Sequence, residues 1–139
     1  MQTLPRDLFR SHPTAFEALG SMEFRALGVR AVDGDTLDVL VDVGFDTCHV
    51  VRLRVRGVNT PELGTKDKKV AEVAAKARKF TAASVEGRYL VVRTYRTKTG
   101  AEVRTFVRYV ADVRYYSRGE WLDLAAELLH HKLAVEDLT

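Results

Sequence analysis

The residues with the clearest capacity for chemistry stand in the segment V-V-R-L-R-V-R-G-V-N-T-P-E-L (50–63). Its first half alternates as a strand does, with Val51, Leu53 and Val55 on one face and Arg52, Arg54 and Arg56 on the other. Gly57 relaxes the backbone, and Asn59-Thr60-Pro61-Glu62 reads as a turn in which Pro61 fixes its own φ. Glu62 therefore sits on a rigid corner at the end of an arginine-bearing strand. Guanidiniums hold phosphates as forks, and a fixed carboxylate can take a proton from water. The plainer alternative is an exposed edge strand that uses charge against aggregation. An ordinary solvated strand face would, however, mix acids or threonines among its bases.

A second acidic point lies upstream. Asp33 and Asp35 are two residues apart, so in an extended chain they share a face. Paired carboxylates suit a hard divalent cation that prefers oxygen ligands. The same Asp-Gly-Asp would also serve a tight turn by geometry alone.

These residues need strands and turns to hold them. Residues 24–32 read as a first strand, and Asp33-Gly34-Asp35 turns it into a second, with Leu37, Val39 and Val41 on its apolar face. Gly44-Phe45-Asp46 turns again into the arginine strand, which makes a curling three-stranded meander. The spacing of Val70, Val73, Ala74, Ala77, Phe80 and Thr81 predicts a helix over 68–85, ended by a glycine cap at Gly87. Residues 89–95 read as a fourth strand and 105–115 as a fifth. A last helix over 122–131 packs Leu124, Ala125, Leu128 and Leu129, with His130 and His131 as partners of its C-terminal dipole.

The 139 residues, 46% of them hydrophobic, suffice for one core, expected over 22–139 after an N-terminal arm or leader at 1–21. The net charge of +3 is modest, but 15 arginines stand against 7 lysines, and planar forks suit phosphate better than point charges. A pI near 9.1 is compatible with a polyanionic partner. Cys48 is the only cysteine, which excludes an intrachain disulfide and a cysteine-based metal site. No apolar run is long enough to span a membrane, and the N-terminus lacks the pattern of a secretory signal. The expectation is a cytoplasmic protein with no membrane association.

Together the motifs V-D-G-D-T (32–36), R-L-R-V-R-G-V-N-T-P-E (52–62), F-V-R-Y-V-A-D-V (106–113) and L-A-A-E-L-L-H-H-K-L-A (124–134) resemble the staphylococcal-nuclease-like (thermonuclease) family. The likeness covers roughly residues 24 to 135, in order. It implies an α+β, mainly β, fold: a five-stranded OB-type barrel with two packed helices. It also implies calcium-dependent hydrolysis of DNA or RNA phosphodiesters, with single strands preferred. Carried over by motif position, Asp35 resembles the calcium carboxylate, Thr60 the residue lending its backbone carbonyl to the ion, and Asp33 a supporting acid. Glu62 resembles the general base, Arg54 the phosphate clamp and Arg108 the second, transition-state arginine. Phe106, Tyr109 and Tyr115 are candidate base-stacking rings on such a barrel.

The chain departs from the family at three places. Asn59 replaces the usual acid of the corner, so a metal site there keeps an oxygen ligand but loses a charge. Val107 replaces the glycine before the second arginine. The chain given ends at Thr139, without a counterpart of the family's last helix. The alternative expectation is a non-catalytic module of the same fold that binds nucleic acid or protein.

Overall fold

The computed structural model describes residues 21–95, 104–105 and 108–137. The arm at 1–20, Phe106 and Val107 lie outside the described residues. Alternation builds the frame. Strand β1 (Ser21–Asp33) runs antiparallel to β2 (Thr36–Gly44), which runs antiparallel to β3 (Thr47–Val55). Along β2, Leu37, Val39 and Val41 are buried while Asp38, Leu40 and Asp42 are half-buried, as the period of two requires. Strand β5 (Tyr89–Tyr95) pairs antiparallel with β1 and with β7 (Arg108–Ser117). Parallel pairing of β3 with β7, Leu53 beside Tyr109 and Val55 beside Ala111, closes five strands into a barrel. The α+β, mainly β, barrel with two helices is therefore the fold.

Helix α1 (Lys68–Val85) has the bounds its apolar spacing predicts, and Asp67 caps it by accepting from the Lys69 and Val70 N–H groups at 2.9 and 3.3 Å. It buries Ala74, Ala77, Thr81, Ser84 and Val85, whereas Val70 stays exposed. Its end is stitched to β1: Gly28 donates to the Arg88 carbonyl, Gly87 donates to the Gly28 carbonyl, and Ala31 N–H donates to the Glu86 carboxylate. A Cβ at Gly28 would stand 1.7 Å from the Val85 carbonyl oxygen, so only glycine permits this approach. Helix α2 (Leu124–His130), capped by Asp123, closes the barrel with Leu124 and Leu128, both fully buried.

Two expectations are corrected. The fifth strand over 105–115 is two elements: β6 (Arg104–Thr105) pairs back onto Tyr109 and Arg108, and β7 continues to Ser117. The last helix begins at Leu124 rather than 122, because Glu120–Asp123 forms β8, paired with β7 through Tyr115 and Leu122. Register with a neighbour wins over the local helical pattern there. Beyond α2, β9 (Val135–Glu136) pairs with β4 (Val58–Asn59), and Asp137 N–H donates to the Gly57 carbonyl at 2.9 Å. That short ribbon straps the Asn59 corner to the chain after α2. Among the described residues no helix is long and apolar enough to cross a membrane.

Candidate active site

The turn between β1 and β2 and the corner after β4 converge at one end of the barrel. Thr36 opens β2 opposite Asp33, leaving Gly34 and Asp35 as the turn itself. Asp33 and Asp35 therefore do not lie on one extended face: Asp35 folds inward and is 7% exposed. Its carboxylate accepts from the Thr60 backbone N–H at 2.9 Å and the Thr36 hydroxyl at 3.1 Å. Helix α1 braces the same turn, since the Thr81 hydroxyl donates to the Gly34 carbonyl at 2.6 Å. A Cβ at Gly34 would meet Ala77 at 2.7 Å and Thr60 Cγ2 at 2.8 Å, so the missing side chain is what lets turn, corner and helix touch.

Arg54 crosses this junction, its side chain 12% exposed. Nη1 donates to the Val55 and Val58 carbonyls at 2.9 and 2.7 Å. Nη2 donates to the Asn59 amide oxygen and faces carboxylate oxygens of Asp35 at 3.4 Å and Asp137 at 3.9 Å. The other two guanidiniums of the strand are likewise met by acids from neighbouring strands. Arg52 forms a two-pronged pair with Asp38, and Arg56 pairs with Asp112 while lying over the Tyr95 ring at 4.3 Å. The expected bare arginine face is thus a neutralised ladder. Its acids arrive through register rather than through local sequence.

Arg108, at the start of β7, reaches the Thr36 hydroxyl with Nη1 at 3.3 Å and acts electrostatically on Asp33. Glu62 is exposed on the corner and acts on Asp33 as well. The Asp33 carboxyl is pushed above its ordinary range, first by burial and then by Asp35 and Glu62. The Leu63 N–H and Arg108 partly oppose that rise. So Asp33, Asp35, Glu62, Thr60, Arg54 and Arg108 share one end of the barrel, where burial and two neighbouring carboxylates disfavour the charge on Asp33.

The geometry suits a resident cation only in part. Among the described residues no three His, Cys, Asp or Glu side chains converge as a metal-binding group. Asn59 turns its oxygen to Arg54 rather than toward Asp35. Two features nevertheless suit a cation: the negative field on Asp33, and the Thr60 hydroxyl oxygen, buried and without a hydrogen-bond partner. A site here would draw on Asp35 and Thr60, with Asp33 and Glu62 supplying charge.

The candidate rings separate. Phe106 lies outside the described residues. Tyr109 is half-buried against the core, and Tyr115, 5% exposed, belongs to the core and presents no face to a base. The exposed Phe, Tyr and Trp rings among the described residues are instead Phe45, in the turn between β2 and β3, and Tyr89, Tyr116 and Trp121 on the sheet. Strand parity could have found them: Tyr116 falls opposite in phase to the apolar series Ala111, Val113 and Tyr115.

Asp33→Asn keeps an oxygen for the Leu63 N–H but removes the charge. A carboxyl whose folded-state pKa is raised costs stability as pH climbs from its unfolded value through the folded one. The variant is therefore expected to melt above the wild type at pH 7 in chelator, with the advantage gone at pH 3. Equal melting temperatures at both pH values would show that its neighbours do not act on Asp33. Compared with known proteins, the chain matches no family model and no curated protein.

Proposed function

We propose that this protein is a nuclease of the staphylococcal-nuclease-like kind, hydrolysing phosphodiesters of single-stranded DNA or RNA at the barrel end that carries Glu62. The observation carrying this reading is the gathering of Glu62, Asp33, Asp35, Arg54 and Arg108 about one turn and one corner. Glu62 is exposed, where it can orient a water and take its proton as the oxygen attacks phosphorus. Arg108, held lightly by one hydroxyl at 3.3 Å, has donors to spare for the equatorial oxygens and the leaving oxygen. Asp35, fixed by the Thr60 N–H, sets the spacing of turn and corner. A calcium ion bound beside Asp35 and Thr60 would supply positive charge to the phosphate oxygens and orient the water.

A second reading is favoured by Arg54. Its guanidinium is taken up by two carbonyls, an amide oxygen and two carboxylates of the protein itself, which would leave a phosphate little to grip. On that reading the chain is a non-catalytic module of the same fold. Heat-denatured DNA and RNA separate the two. Degradation with calcium that stops on chelation is expected. Degradation unaffected by chelator would remove the metal from the mechanism, and none with any divalent ion would leave the binding module.

A further inference from the structure

The outer face of the sheet carries a row of exposed apolar side chains that the candidate active site does not use. Leu27 on β1 pairs with Tyr89 on β5, and Tyr116 on β7 pairs with Trp121 on β8. Because Leu90 pairs with Tyr115, the next step of that antiparallel ladder sets Tyr89 beside Tyr116. The four run side by side across four strands, spaced about 4.8 Å per strand. They are 37%, 78%, 48% and 45% exposed, and the Tyr116 and Trp121 rings meet edge-on at 5.3 Å. Contiguous exposed rings mark a binding surface more than isolated ones do.

Charge differs on the two sides of the row. On one side Arg25 is held by Asp42, and Arg114 by Glu23 at 2.9 Å. On the other side stands Arg118, in the turn joining β7 to β8. It forms no ion pair among the described residues. Its charge is unneutralised where most arginines of the outer face have a carboxylate.

We propose that Tyr89, Tyr116 and Trp121, flanked by Arg118, form a stacking platform for single-stranded nucleic acid, separate from the candidate active site. The substrate class rests on the nuclease reading. Aromatic faces stack any base, and an unpaired guanidinium beside them holds the backbone. An apolar protein anchor would use the rings equally but has no need of an uncompensated cation at their edge. Arg108 and Tyr116 stand eight residues apart on β7, about 26 Å. A strand engaging both sites must bridge that distance, so the platform adds most to the binding of long strands.

Trp121 is the only tryptophan, so its emission reports the platform directly. A 5′-labelled thymidine 16-mer titrated into the full chain in chelator is expected to move label anisotropy and tryptophan emission together. Tyr89→Ala and Trp121→Ala should each weaken the 16-mer about 10-fold. Tyr89→Leu, which keeps apolar area but loses the ring, should weaken it too. Arg118→Glu should also flatten the salt dependence of binding. Rising anisotropy with unmoved tryptophan emission, or full 16-mer affinity in the variants, overturns the platform and leaves the nuclease reading intact. So does self-association that depends on Trp121 in a protein that does not bind the 16-mer, which assigns the row to a second copy of the chain. A platform that behaves as expected in a protein that cleaves nothing with calcium overturns the nuclease reading alone.

Discussion

Glu62→Gln is expected to leave the barrel folded and to lower turnover on single-stranded DNA by about 10²-fold or more, the range for loss of a positioned general base. The amide keeps the shape of the side chain and one acceptor oxygen but cannot take a proton from water. Because Glu62 is exposed, its replacement breaks no core contact, so melting temperature and far-ultraviolet spectrum should match the wild type. The loss should appear in kcat, since a base acts on the attacking water rather than on substrate binding. A variant cleaving at near-normal rate would show that the corner carboxylate is only a solvated charge.

Arg54→Met is expected to destabilise the fold by about 3 kcal/mol, as removing one partner of a buried pair does. The side chain is 12% exposed and Asp35 10%, so water does little to compensate for the lost guanidinium. The Val58 carbonyl, the Asn59 amide oxygen and the Asp137 carboxylate would lose a donor or counter-charge in the same step. A shifted urea midpoint with unchanged slope would report this. Arg56→Met is the control: its pair with Asp112 is at the surface, its side chain 53% exposed, and its removal should cost well under 1 kcal/mol. A loss for Arg54→Met no larger than that of the control would place its guanidinium in solvent, free to hold phosphate.

Much of the frame was legible in the sequence because local physics dictates it. The helix over 68–85 follows from apolar spacing, and β2 follows from alternation. The β8 strand was not legible, since Glu120–Asp123 is too short to show a period and Leu122 suits either element. The two-residue strands β4 and β9 leave no pattern at all. At the candidate site, the motifs resembling the staphylococcal-nuclease-like family pointed to Asp35, Thr60, Glu62, Arg54 and Arg108 as one group. Their partners did not follow, because pairs such as Arg52 with Asp38 and Arg56 with Asp112 depend on register between strands. Tyr115 was misread for the same reason: which side of a strand faces inward is set by its neighbours.

The parallel seam between β3 and β7 bears on the order of events in folding. Arg56 and Asp112, paired across it, are 56 residues apart in sequence, so closing the seam carries a large loop-entropy cost and belongs among the late steps. Arg54 and Arg108 stand on the two strands that the seam joins. A chain with its meander and α1 already formed would still lack the assembled pair of arginines. During refolding, then, helical signal should recover first, and, if the proposed nuclease reading holds, phosphodiester cleavage only after a lag. On that reading a nascent or partly unfolded copy would be inert towards nucleic acid.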